Sequence, residues 1–399
     1  MSNNPQCKTI LKKGVSNAMI IIKNGRVHNG RGSVEQADIV IDGSIITRIA
    51  RNIPADGAEV IDAAGMEVFP GFVDAQNVWG ITGPGWTGDD RSEDYNPVTP
   101  EMNVVYAFDH DGMNFQRVYS YGVTSACIAP SPCNVLRGQA AVFKTRGRSP
   151  YDMLVKESAA MTASVTKAVK DNYSKRPAAP MTRMGIFSLL TDKLEKARRY
   201  NEDKDGYDSG CIAMKRVLTG DLPLFVNCAT RAEITALTAA LRPYEAVRLV
   251  LTGAYGLDAG MELVTSGKLP VIMGDHTEAF NTANYVTEFE RIIPLMESGA
   301  PIAIGCCGDN TTSGRESLLW NALFWIRRGL SPEKALECIS YTPAKILGVE
   351  NRIGSIEIGK DADITVWSKN PFETYEARIT AALISGRDAF RKEDTPSCW

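Results

Sequence analysis

Histidine is scarce in this chain. Of 399 residues only three are histidine: His28, His110 and His276. So few imidazoles argue against a metal centre built from three or four of them. No apolar run reaches the roughly 18 residues of a membrane-spanning helix, so no membrane association is expected. The start, Met1-Ser2-Asn3-Asn4-Pro5-Gln6, is polar and lacks the order of regions of a secretory signal. Charge of either sign is not in excess: the net value is −3, which leaves no electrostatic footprint for nucleic acid. The nine cysteines include no CxxC pair. An odd count in a chain this long points to reduced thiols and a cytoplasmic location rather than a disulfide framework. Internal repeats and low-complexity segments are absent too.

With 44% hydrophobic residues, the chain suits a globular protein with one large domain or a large and a small one. Residues 1–17 look like a loose polar arm. From Ala18 the reading is β. Met19-Ile20-Ile21-Ile22-Lys23 is a buried strand, and Asn24-Gly25 predicts a hairpin turn. Asp38–Ile41, Ile45–Ile49 and Val60–Phe69 continue as short strands, with a second hairpin turn at Asp42-Gly43. Far downstream, Ile353–Trp367 reads as strand, turn, strand, and Ala381–Arg387 as a last strand. One small β-sandwich built from both termini is expected, residues 18–70 and 349–392, with residues 71–348 inserted between.

In the insertion, apolar runs alternate with longer helical patterns. Val123–Ile128, Leu224–Cys228, Val247–Thr252, Leu269–Met273 and Pro301–Gly305 are the runs. Strands buried on both sides and alternating with helices predict a parallel sheet, and about 280 residues suits an α/β fold of the (β/α)8 barrel type. Ser331-Pro332 predicts a helix start, and Gly348 a helix stop. The charged stretch Thr191–Tyr200 predicts a solvated helix face.

The stretch Phe69-Pro70-Gly71-Phe72-Val73-Asp74-Ala75-Gln76-Asn77-Val78 is the most informative one. It resembles the end of barrel strand 1 in the amidohydrolase superfamily, where Pro-Gly-(apolar)-(apolar)-Asp-x-His-x-His supplies two metal ligands. Gly85–Asp90 with Asn96–Pro100, Gly122–Thr124, Pro132–Val135, Gly138-Gln139, Lys144-Thr145, Pro180–Gly185 and Gly354–Ile364 extend the likeness. Together they are similar to the bacterial members labelled imidazolonepropionase-like, over roughly residues 18–390. The ligand positions that this resemblance implies are occupied differently here. Gln76 and Val78 stand at the strand-1 pair, Asn227 and Ala229 at the strand-5 pair, Thr252 at the sixth-strand histidine and Cys307 at the eighth-strand aspartate. Asp309 is the nearest carboxylate to that last position. Carboxamides are poor ligands for a borderline-soft cation, and an isopropyl group is none.

These substitutions remove charge along with ligands. The expected protein is therefore an amidohydrolase-fold pseudoenzyme, without metal or other cofactor, acting as a structural subunit or small-molecule binder. Two alternatives stand beside it. One is an active hydrolase of amide or cyclic amide C–N bonds with a rearranged metal site, for which His276 and Asp309 are the candidates. The other is cysteine chemistry at Cys307 or Cys228, which needs a nearby cation or helix N-terminus to activate the thiol. Because barrel sites lie at the C-terminal strand ends, Gln76, Asn227, Thr252 and Cys307 are expected around one cavity of neutral donors and acceptors. Such a lining suits a neutral or zwitterionic small molecule. Related barrels usually associate, so a homodimer is the simplest assembly, and a metal-bearing paralogue is a plausible partner.

Overall fold

The structure is a computed structural model and describes residues 19–391, apart from 84–87, 113–114, 116, 175–178, 256, 268, 275–287 and 308–315. The arm at 1–17, His276, Asp309 and part of the Gly85–Asp90 motif lie outside the described residues.

Two eight-stranded sheets make up the fold. The first takes strands from both ends of the chain: β1 (Ile20–His28), β2 (Val34–Asp42), β3 (Ile45–Ala50), β4 (Glu59–Asp62) and β5 (Glu67–Pro70) precede the second sheet, and β14 (Ile364–Trp367), β15 (Ile379–Ile384) and β16 (Arg387–Arg391) follow it. Its order is β16-β15-β14-β5-β1-β2-β3, with β4 also pairing β1. The sheet folds back on itself. Edge strand β3 meets the segment before β14, where Ile46 N–H donates to Lys360 C=O and Ala362 N–H to Ser44 C=O. This encloses an apolar cluster that includes Ile22, Ile39, Ile41, Val68, Ile364 and Leu383. Asp42-Gly43 turns between β2 and β3, with Gly43 at φ +60°. Asn24-Gly25 does not turn. It is a bulge inside β1, with Asn24 at φ +61° and its N–H held by Asp38 Oδ1 at 2.8 Å. A Cβ on Gly25 would lie 2.5 Å from Val68 Cγ2, so glycine serves close packing of β1 on β5.

The second sheet is the barrel: β6 (Phe72–Asn77), β7 (Val123–Ile128), β8 (Leu136–Lys144), β9 (Leu154–Ser164), β10 (Leu224–Asn227), β11 (Leu249–Thr252), β12 (Val271–Met273) and β13 (Ile302–Ile304), hydrogen-bonded in chain order. The ring nearly closes between its ends, where Cys307 N–H donates to Gln76 C=O at 2.9 Å. Inward side chains from every strand, Val73, Cys127, Ala140, Ala160, Phe225, Val250, Ile272 and Ala303 among them, fill the interior as one cluster.

One strand departs from the parallel sheet expected. The third, β8, runs antiparallel to both β7 and β9. Only a short connection, residues 129–135, joins β7 to β8, too short for a crossover helix, so the chain turns straight back. An antiparallel strand begins where its neighbours end. The start of β8 thus lies at the mouth formed by the C-terminal ends of the others.

Around the barrel run α1 (Lys167–Tyr173), α2 (Arg183–Arg199), α3 (Ser209–Leu218), α4 (Arg231–Leu241), α5 (Phe289–Glu297), α6 (Ser317–Ile326), α7 (Pro332–Cys338) and α8 (Tyr341–Leu347). In α2 the buried residues Ile186, Leu190, Leu194 and Ala197 form one stripe, and the charged face is turned to solvent as expected. Ser331 and Pro332 open α7, and Gly348 at φ +65° ends α8.

Candidate functional site

Four of the six positions picked out by the resemblance meet at the mouth. Gln76, near the end of β6, donates from Nε2 to Asn227 Oδ1 at 3.1 Å. Asn227 ends β10 and pairs in register with Thr252, the end of β11. Cys307, beyond β13, is tied to Gln76 through the backbone bond already given and holds a left-handed backbone at φ +40°. All four are buried. Among the described residues, Gln76 Oε1 and Thr252 Oγ1 are buried without a hydrogen-bond partner.

Val78 does not join them. Val78 belongs to the apolar cluster between barrel and helices that includes Trp79, Ile81 and Phe108. Ala229 offers only its backbone: its N–H donates to Glu233 Oε2 at 2.8 Å, beside the capping box by which Thr230 and Glu233 open α4. Cys228 also sits in the outer cluster, and burial pushes its thiol well above the usual range. Cys127, inside the barrel, is shifted the same way by burial, with the Asp74 carboxylate adding to it. Both are neutral thiols at pH 7 and poor nucleophiles. Of the histidines, His28 is far from the mouth, paired with Glu67 at 2.5 Å and stacked on Phe69, and His110 lies in a turn beside Asp111.

Asp74, from the Pro-Gly-Phe-Val-Asp frame, is fully buried beneath the mouth. Its Oδ2 accepts from Asn77 Nδ2 at 2.9 Å, and its Oδ1 accepts from the backbone N–H groups of Gln76 and Cys306, each at 3.3 Å. Burial raises its carboxyl above the ordinary range, and these hydrogen bonds offset part of the shift.

Sequence reasoning missed a cationic residue bound into this group. Arg137, second residue of β8 and only 2% exposed, donates from Nη2 to Asn227 Oδ1 at 2.8 Å and from Nη1 to Pro130 C=O at 2.6 Å. Its place follows from the reversal of β8, which brings a strand start to the mouth. Gly138 makes that start fit. At φ +104°, a Cβ there would lie 2.6 Å from Met102 C=O, where the 97–103 segment pairs along β8. The mouth is thus not the wholly neutral lining expected.

Among the described residues, no three His, Cys, Asp or Glu side chains lie together in the manner of a metal site. Asn227 Oδ1 receives two donors, from Gln76 and Arg137, and so has both its lone pairs engaged.

The fold is a barrel of the amidohydrolase type, as comparison with known proteins shows. A model described as the amidohydrolase family matches residues 267–389. The amidohydrolase from Thermotoga maritima is similar in structure, with a TM-score of 0.85 and 28% identity over 94% of this chain and 100% of that one. The amidohydrolase tasK of Hapsidospora irregularis is 25% identical over 387 residues, 84% of this chain and 38% of the relative, so the chain spans little more than a third of its length. The dihydroorotase of Streptococcus thermophilus is 49% identical over 57 residues, 14% of each chain. The chain belongs to the amidohydrolase superfamily.

Proposed function

We propose that this chain is an amidohydrolase-fold protein without a catalytic metal, which binds a small neutral or zwitterionic molecule at the barrel mouth and does not hydrolyse it. The observation that carries this reading is the contact between Arg137 and Asn227. A guanidinium cannot lose its proton at physiological pH. At 4 Å and an effective dielectric of 20, two unit charges repel by about 4 kcal/mol, hence a divalent ion by about 8 kcal/mol. A structural zinc site with good ligands gains roughly 10–16 kcal/mol. Among the described residues, two carboxamides, a hydroxyl and a thiol fall well short of such a ligand set, and a guanidinium beside them adds to the cost of placing a cation there. Without a metal, no group among the described residues of the mouth would bring the pKa of a bound water near 7.

What the mouth does offer is hydrogen bonding. Gln76 Oε1 can accept, Thr252 Oγ1 can donate or accept, and Arg137 favours a carbonyl or carboxylate oxygen. A molecule carrying an N–H beside a C=O matches this set.

The relatives' names favour a second reading, an active hydrolase of C–N bonds. A panel of linear and cyclic amides, assayed with and without added zinc, manganese, nickel and iron, separates the two. Hydrolysis should stay at background throughout. Turnover that vanishes in Cys307→Ala would establish cysteine chemistry instead, and metal-dependent turnover lost in His276→Ala and Asp309→Asn would establish a rearranged metal site.

A further inference from the structure

A cavity of about 1030 Å³ lies away from the mouth, between α6, the 118–121 turn and the β15–β16 side of the terminal sheet. That is at the upper end of the roughly 300–1,000 Å³ of small-molecule sites. Its lining carries three guanidinium groups, from Arg117, Arg146 and Arg378, against one carboxylate among the described residues, Glu316. Among the described residues of the lining, none of the three arginines has an ion-pair partner. Arg146 is steadied by the Tyr119 hydroxyl at 3.2 Å and lies over the Tyr119 ring at 5.5 Å. Arg378 Nη1 is anchored on the carbonyls of Tyr375 and Ala377 at 2.6 and 2.9 Å. Arg117 and Arg146 also line a smaller adjoining cavity of about 290 Å³, in which Asp111 is the acidic residue.

Two further features set this cavity apart from an ordinary charged surface. Arg117 has a left-handed backbone at φ +64°, which costs a residue with a Cβ about 1–2 kcal/mol. Glycine would avoid that cost, yet the position holds an arginine that lines both cavities. The wall also carries exposed aromatic rings: Trp320 is 50% exposed and Tyr375 72%. Guanidinium groups concentrated in a concave surface attract anions, arginine pairs with phosphate and carboxylate in a two-pronged geometry, and indole is a stacking face.

We propose that this cavity binds a small aromatic anion, a planar ring bearing a phosphate or carboxylate. The anion lies against Arg117 and Arg146, and the ring against Trp320 and Tyr375. The site is separate from the barrel mouth and holds whether or not the mouth binds a ligand.

Calorimetric titration of the full chain with phenyl phosphate, benzoate and adenosine 5′-monophosphate tests this, with inorganic phosphate and adenosine as controls. At least one ring-bearing anion should bind saturably, and each control about tenfold or more weaker, the loss expected from removing one charge-assisted contact or the stacking face. Arg117→Gly should weaken binding by about tenfold without lowering the melting temperature, since glycine adopts that backbone freely. Trp320→Ala should weaken the ring-bearing anions but not inorganic phosphate. The proposal falls if none of the three anions binds saturably at low millimolar concentration, if inorganic phosphate binds as tightly as phenyl phosphate, or if Arg117→Gly leaves affinity unchanged. A dimer in which Trp320 is shielded from a soluble quencher would make the cavity an interface between copies and would also overturn it.

Discussion

Replacing Lys144 by alanine should cost about 3–5 kcal/mol of folding stability, the effect of leaving a buried ion pair without one partner. Lys144 closes β8 at the end of the barrel opposite the mouth. Its ammonium lies 2.9 Å from Asp361 Oδ2 and also contacts Asp363 Oδ2, and all three side chains are less than a tenth exposed. Arg352 adds a second cation to Asp361 at 2.8 Å, and Ser385 N–H donates to Asp363 Oδ1. Without the ammonium, two carboxylates would share an almost dry site with one half-exposed arginine. The group joins the barrel to the segment that returns to the terminal sheet, so its loss should be felt by both. Denaturant unfolding of Lys144→Ala measures the cost. The triple variant Lys144→Met, Asp361→Asn, Asp363→Asn should recover most of it, because no charge is then left unpaired. A loss below about 1 kcal/mol, the range of an exposed pair, would contradict this account of the junction.

Arg137→Met should lower stability by about 2 kcal/mol and change what the mouth tolerates. Pro130 C=O and the buried Asn227 Oδ1 would each lose a donor, and buried polar groups left short of partners cost about 1–3 kcal/mol. Asn227 Oδ1 would keep only its bond from Gln76. Removing a buried charge returns part of that cost, so the net loss should be smaller than for Lys144. Arg137→Lys should not restore the parent value, since one ammonium does not reproduce the two-pronged reach to Pro130 and Asn227. Denaturant unfolding of both variants gives the comparison. Lysine matching arginine would mean that charge alone, rather than the planar fork, holds the mouth together.

Much of the fold could be read from the chain because its signals are local. Apolar runs bounded by turn residues marked β10 to β13, and the Phe69–Val78 frame marked β6. Direction was not local. Nothing in Leu136–Lys144 says that β8 runs against its neighbours; that follows from the short 129–135 connection and the pairing on both sides. Arg137 was hidden for the same reason. A scan of strand C-termini finds Gln76, Asn227 and Thr252, and passes over a residue at a strand start. Asn24-Gly25 misled in the opposite way, since a left-handed asparagine before glycine serves a bulge as well as a turn. Lys144 and the pair Asp361 and Asp363 were each visible as motifs, but they stand more than two hundred residues apart, and only the packing shows that one ammonium serves both carboxylates. Val78 and Cys228 were picked by position within a pattern, and pattern position does not say which way a side chain turns once the strand has ended.

We propose that the Arg137 guanidinium stands at the barrel mouth in place of a metal cation. Elemental analysis by plasma mass spectrometry, on protein purified without added metal and dialysed against a chelator, tests it most directly. Zinc, iron, manganese and nickel should each stay well below one equivalent per chain, in the parent protein and after incubation with each metal and desalting. A full equivalent of any of them retained through the chelator would contradict it.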